Sequence, residues 1–200
     1  FKTDMLDPDM GHWRYAYTPA GNLLTQTDAR NCVTTFSYDL LDRLAGKTYA
    51  GPGACGTTTP VSYSYDGSLL GTGQRTGMVD AAGLSAWQYD ARGQVLTETR
   101  TITGTGSFTT AFRYDALGRV VTTTYPTGEV ITQGYDLAGQ LLQVRSATYA
   151  TNYVAGLQYN ALGQPLAATL GSGVGLANTY QAASGRLLHS VASSGAGDAM

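Results

Sequence analysis

The sequence predicts an all-β chain folded as an antiparallel β-meander of stacked hairpins. Three observations lead there: a Tyr-Asp pair that returns at a nearly fixed interval, a composition rich in Thr and Gly but poor in charge, and a strand–turn–strand unit that aligns on itself. The pair stands at Tyr38-Asp39, Tyr65-Asp66, Tyr89-Asp90, Tyr114-Asp115 and Tyr135-Asp136, with variant copies at Tyr17-Thr18, Tyr159-Asn160 and Tyr180-Gln181. Successive tyrosines are 21, 27, 24, 25, 21, 24 and 21 residues apart. A period in this range marks a repeat architecture. Such a chain offers a wall or a surface more readily than a single reactive site.

Charged residues are 13% of the chain, about half the usual ~25%. Thr and Gly take their place, and these favour strands and turns respectively. A net charge of −2 argues against nucleic acid as a partner, because phosphate binding needs a basic face. No apolar run approaches the ~18 residues of a membrane span. The chain opens on Phe1-Lys2-Thr3-Asp4 with no apolar leader behind it. It is expected to be an internal piece of a longer chain, so the missing leader does not bear on secretion.

The unit is clearest from Tyr114 to Gly134. A turn, Asp115-Ala116-Leu117-Gly118, opens it. A Val- and Thr-rich strand follows, then a second turn at Pro126-Thr127-Gly128-Glu129, then a return strand that ends on Tyr135. Each repeat is thus a hairpin, and hairpins in series make a meander of about fifteen strands. The opening turn recurs at Thr18–Gly21, Asp90–Gly93, Asp136–Gly139 and Asn160–Gly163. Its Asp or Asn can bond a backbone N–H two residues on, and its Gly tolerates positive φ. A polar residue follows the glycine: Asn22, Gln94, Arg119, Gln140 or Gln164. Asp42 replaces the glycine in the second copy, and Gly73 is displaced into a longer loop in the third. The chain is expected to begin and end in mid-repeat, with seven to eight repeats across residues 1–200 and no separate second domain.

Two residues before each tyrosine lies a same-face neighbour. Tyr15, Phe36, Tyr63, Trp87 and Phe112 give five consecutive aromatic pairs, followed by Gln133, Leu157 and Asn178. Aromatic ladders along one face are expected, with looser packing in the last three repeats. The other face carries Thr, Ser, Gln and Arg, which suits a wall better than a filled sandwich.

The motif Tyr-Asp-x-x-Gly-Arg-Leu at this spacing resembles the YD repeat of the RHS family, with Asp115-Ala116-Leu117-Gly118-Arg119-Val120 a near-ideal copy. The resemblance covers essentially the whole chain. The family includes polymorphic toxins, toxin-complex cocoon subunits, wall-associated proteins and teneurins. It implies a curved or spiralling sheet that forms part of a hollow β-shell, in an exported protein of the cell surface or medium. In toxin members such a shell encloses a C-terminal effector. The family's self-cleaving aspartate segment has no counterpart here. Asp7-Pro8-Asp9-Met10-Gly11 aligns instead with the turn Asp80-Ala81-Ala82-Gly83.

No catalytic, cofactor-binding or metal-binding residue is expected. The repeated aspartates occupy identical positions, whereas acid–base catalysis needs differentiated partners. The structural positions are Tyr17, Tyr38, Asp39, Tyr65, Asp66, Tyr89, Asp90, Gly93, Tyr114, Asp115, Gly118, Arg119, Tyr135, Asp136, Gly139, Tyr159, Asn160, Gly163 and Tyr180. His12 and His189 lack partners at ligand spacing. Ser193-Ser194-Gly195 lacks the strand–turn–helix context of a nucleophile elbow, and Gly71-Thr72-Gly73 and Gly104-Thr105-Gly106 lack the Lys of a phosphate loop. Cys32 and Cys55 sit on one rim, one repeat apart. They form a disulfide if the long Cys55 loop folds back, and are free thiols otherwise. The partners expected are flanking repeats of the same chain or identical chains. Cell-surface carbohydrate, stacked on Trp13, Trp87 or Tyr89, and an encapsulated effector are further alternatives.

Overall fold

The structure, a computed structural model, describes residues 1–194. It divides into two compact units, Phe1–Thr109 and a second beginning at Thr110. The first contains β1 (Asp4–Asp7), β2 (Gly11–Tyr17), β3 (Leu23–Thr27), β4 (Val33–Tyr38), β5 (Leu44–Ala50), β6 (Val61–Tyr65), β7 (Arg75–Asp80), β8 (Gly83–Tyr89) and β9 (Val95–Ile102). Each strand pairs antiparallel with the next. The start of β10 (Gly106–Tyr114) lies against β9, where Thr99 and Thr109 share a hydroxyl hydrogen bond of 2.8 Å, as do Thr101 and Ser107.

The second unit continues through β11 (Val120–Thr124), β12 (Val130–Tyr135), β13 (Leu141–Ser146), β14 (Thr151–Tyr159), β15 (Pro165–Leu170), β16 (Gly175–Tyr180) and β17 (Leu187–Ser193). These too pair in series. The described residues are therefore all-β, with a single 3-10 turn among them at Gly53–Thr57. Seventeen strands are described, more than the hairpin count predicts. Met5 and its neighbours pair on β2 as β1, and the segment after Arg186 forms β17 on β16.

The two faces differ. In β6, half-buried Val61, Tyr63 and Tyr65 alternate with exposed Ser62 and Ser64. A core in the ordinary sense hardly exists: among the described residues the buried large hydrophobic is Ile131, 6% exposed. It sits in a cross-strand row with Thr123 and Ser146, both buried. This row shares the face of Gln133, so the expectation of looser packing in that repeat is overturned. The cause is the loop after β13, which folds back on β12. Ala147 N–H donates to Val130 O at 2.7 Å, and Val130 N–H donates to Thr148 Oγ1 at 2.9 Å. The final strand, β17, is exposed along its whole length.

The same loop ends on Ala150 at φ 54°. A left-handed residue with a Cβ is strained by about 1–2 kcal/mol, and glycine loses roughly 0.5–1 kcal/mol of that advantage to entropy. Ala150→Gly is therefore expected to raise the urea midpoint modestly. A lowered midpoint would show that the loop is held by contacts of the Ala150 methyl instead.

Candidate functional site: the Tyr-Asp rim

Within each unit the Tyr-Asp turns gather on one rim. Asp39 N–H donates to Arg43 O at 2.9 Å, and Asp42 N–H to Asp39 O at 3.1 Å. This is the three-residue hairpin that closes through a left-handed fourth residue. Asp42 has φ 58°, while Gly93, Gly118, Gly139 and Gly163 have φ of 76°, 82°, 86° and 77°. The Asp39 Oδ1 accepts the N–H groups of Leu41 and Arg43, each at 2.9 Å. Asp90, Asp115 and Asn160 repeat that pair of bonds, and Asp136 accepts from Gln140 N–H at 2.8 Å. An amide oxygen at Asn160 does what the carboxylates do, so at this point the aspartates act as acceptors for the backbone. The third copy differs: Asp66 itself is left-handed at φ 60°, and its Oδ1 takes the N–H of the displaced Gly73.

The tyrosines connect each turn to the strand before it. Registered pairing between β3 and β4 stops at Thr25↔Thr35. Beyond it Tyr38 OH donates to Leu23 O at 2.8 Å. Tyr65 reaches Leu44 O, Tyr89 reaches Arg75 O, Tyr135 reaches Val120 O, Tyr159 reaches Leu141 O and Tyr180 reaches Pro165 O, at 2.6 to 3.0 Å. In every case the acceptor lies two residues after the left-handed turn residue of the preceding repeat. Tyr17 makes the corresponding bond to Lys2 O at 2.7 Å. Each hydroxyl satisfies a carbonyl that the ladder leaves unpaired.

The residue after the left-handed position reaches forward to the next turn. Asn22 Nδ2 donates to Asp42 Oδ1 at 2.7 Å, and Gln164 Nε2 to Gly185 O at 2.7 Å. Arg43 joins two turns at once: its Nε bonds Asp39 Oδ2 at 2.7 Å, and its two terminal nitrogens grip Asp66 at 3.1 and 2.7 Å. Asp66, then Asp39, hold the Arg43 guanidinium well above its usual range. Hydrogen bonds from the Arg43 side chain and Gly73 N–H hold Asp66 below the usual carboxylate value. Asp39 and Asp115 are lowered first by the N–H of Arg43 and Arg119, and then by those guanidiniums.

These cations also settle the aromatic face. Arg43 lies 4.4 Å from the centroid of Tyr65, Arg119 4.5 Å from Tyr135, and Arg75 between Trp87 at 4.7 Å and Tyr63 at 5.7 Å. The ladder of rings on rings is thus corrected to rings interleaved with cations. Tyrosine columns of successive repeats are two strand spacings, roughly 9.5 Å, apart. That exceeds ring-to-ring range, so a side chain from the intervening strand fills the gap. Phe1 does stack on Tyr17, at 4.8 Å.

Away from this rim, Cys32 and Cys55 are joined by a disulfide, their Cα atoms 5.6 Å apart. The 3-10 turn Gly53–Thr57 brings Cys55 back toward β4. Asp7 Oδ1 accepts the N–H groups of Asp9 and Met10, and Asp80 Oδ1 those of Ala82 and Gly83, so both are turn caps. His12 Nε2 bonds Asp4 Oδ2 at 2.6 Å. Among the described residues, no three of His, Cys, Asp and Glu gather where they could hold a metal ion. No helix there is long and apolar enough to cross a membrane. Gly195 of the Ser193-Ser194-Gly195 stretch lies outside the described residues.

The sequence profile of the RHS Repeat family matches residues 17–54, 99–130 and 114–151. No curated protein matches the chain. Among solved structures, TcdB2-TccC3 without its hypervariable C-terminal region superposes with a TM-score of 0.86 at 20% identity, over 98% of this chain and 11% of that one. The TcdB2-TccC3-Cdc42 crystal structure gives 0.83 at 21%, over 94% and 10%. A Tc holotoxin pore of Photorhabdus luminescens with a substitution in TccC3 gives 0.84 at 21%, over 97% and 10%. The chain thus spans about a tenth of the length of the chains whose fold it shares.

Tyr135→Phe leaves Val120 O without its donor, and the loss of one such bond is expected to cost about 1 kcal/mol, read as a lower urea midpoint. An unchanged midpoint would mean that water replaces the hydroxyl at no cost. The lowered carboxyls set a second expectation. Asp39, Asp66 and Asp115 favour folding fully above the ordinary carboxyl value of 3.8, and that contribution is lost as pH falls through their lowered folded values. Stability should therefore be level at neutral pH and fall below 3.8, with a shallower fall in the Asp39→Asn, Asp115→Asn double variant. An identical acid profile for the variant would place the titration elsewhere.

Proposed function

We propose that this chain, which the RHS Repeat family model matches over residues 17–54, 99–130 and 114–151, belongs to that family and is a stretch of wall in a larger exported β-shell, with a structural and non-enzymatic role. The observation that carries the reading is the forward and backward clasping of the rim. Tyr38, Tyr65, Tyr135 and Tyr159 each reach back one repeat, and Asn22, Arg43 and Gln164 each reach forward one. The side chains at the repeated positions are thereby occupied in joining copies to each other. The differentiated partners of a reactive site are not drawn from them.

Two further observations support the reading. A Cys32–Cys55 disulfide suits an oxidising compartment such as the cell surface or medium. Leucines at the tips of the Tyr-Asp turns, Leu40, Leu117, Leu137 and Leu162, are exposed, as are both faces of β17. Apolar side chains left open in this way suit a chain that is covered by more of its own kind. Within toxin members of the family the covered space holds an effector, and the same role for this chain is the finer form of the proposal.

β1 pairs on β2 and β17 on β16, and unpaired strand edges recruit further strands. The natural partners are flanking repeats or identical chains. Sedimentation velocity across a concentration series is expected to show association of the purified chain. A monomer at every concentration would sink the wall reading. So would a hydrolytic activity of the chain that one substitution on the rim abolishes.

A further inference from the structure

Of the three aromatic residues that could meet a sugar, two are occupied within the wall. Trp87 stacks on Arg75, and Tyr89 bonds Arg75 O. Trp13 instead opens on a cleft of about 270 Å³ in the first unit, beside the Cys32–Cys55 disulfide. We propose that this cleft, walled by Trp13 and Tyr49 over a floor of Gln26 and Thr34, binds one ring of a neutral saccharide.

The register builds the cleft. Tyr15 pairs with Gln26, Gln26 with Thr34, and Thr34 with Tyr49, so these side chains form one row across β2, β3, β4 and β5. Trp13, two residues before Tyr15, shares its face. The backbones carrying Trp13 and Tyr49 are three strand spacings apart, roughly 14 Å. That separation leaves a slot between two flat walls. Trp13 Nε1 donates to Met10 O at 3.0 Å, which fixes the indole before any ligand arrives.

The polar groups point to the ligand class. Among the described residues, the side chains of Gln26, Thr34 and Tyr49 make no hydrogen bond within the protein, so an amide and two hydroxyls stand open as donors and acceptors on the cleft floor and wall. The charged groups are the opposite case. Asp28 takes both Nε and Nη2 of Arg30, at 2.9 and 2.7 Å, and the N–H groups of Arg30 and Cys32. Paired to each other, they offer the cleft no net charge. Aromatic faces with open, neutral hydrogen-bonding groups between them match a hydroxylated ring whose CH surfaces are apolar. The volume lies just below the ~300 Å³ where drug-sized pockets begin, which fits a single ring better than an extended ligand. The disulfide holds the Cys55 loop as the end wall.

The test uses the chain carrying Trp87→Phe, which leaves Trp13 as the only tryptophan, titrated with maltotriose, cellotriose, chitotriose and lactose. At least one sugar is expected to change Trp13 fluorescence saturably, with a dissociation constant of roughly 1 mM or tighter. Gln26→Ala and reduction of the disulfide should each weaken that binding about tenfold, a loss of about 1.4 kcal/mol. Circular dichroism confirms that each form remains folded. Ligand-observed magnetisation transfer to the same sugar should vanish in Trp13→Ala. The proposal is overturned if no neutral sugar responds, if binding survives Trp13→Ala and Gln26→Ala unchanged, or if charged trigalacturonate alone binds. Because the wall reading is tested by association, either idea can fail without the other.

Discussion

A tyrosine hydroxyl closing on the carbonyl of the strand before it is the bond on which the repeat depends. Antiparallel strands usually satisfy their own backbone, yet here registered pairing stops short of the rim: β11 and β12 pair from Thr124↔Val130 to Thr122↔Thr132 and no further. The bulge at Tyr114 that leads into β11 turns the start of that strand toward its other neighbour. Val120 O would be left without a donor, and Tyr135 supplies one from three strand positions beyond the last registered pair. With almost no buried apolar residue among those described to hold the sheet, polar closure of this kind carries a larger share of the stability than it would in a sandwich.

The aspartate and the glycine follow from the same constraint. For Tyr135 to point at Val120, the turn after it must leave in a fixed direction, and Gly139 at φ 86° with Asp136 accepting Gln140 N–H provides it. The space beside that glycine is then used by the preceding copy. A methyl on Gly139 would lie 3.5 Å from Arg119 Nη1, and one on Gly163 3.3 Å from Gln140 Nε2. The residue after each glycine is therefore a neighbour of the next glycine, and a polar side chain there touches backbone that only a small residue exposes.

Much of this was legible in the residues themselves. Period, hairpin and turn chemistry follow from local rules, because a Tyr-Asp-x-x-Gly turn needs no distant information. Asp42 and Gly73 were recognisable as the left-handed positions of the irregular copies for the same reason. The partners of Arg43 and Arg75 were not legible, since strand alternation gives a face and not the filler between columns two strands apart. The buried row at Ile131 escaped for a related reason: it depends on the loop at Ala147 and Thr148 returning to Val130, a contact set by that loop's length and not by the repeat. Trp13 could be named as a candidate, but its separation from Trp87 and Tyr89 required Tyr49 and Gln26, which only the register brings onto its face beside it.

The clasp reaches one copy back and no further: Tyr159 finds Leu141, and Tyr180 finds Pro165. Coupling limited to nearest neighbours makes the chain additive. Removing or duplicating one whole unit, from a tyrosine to the next, preserves every acceptor for every hydroxyl, whereas cutting within a unit leaves one tyrosine and one carbonyl each without its counterpart. The length of such a chain is thus free to change in integers and resists change in fractions, which gives recombination between copies a ready grammar for lengthening or shortening the sheet.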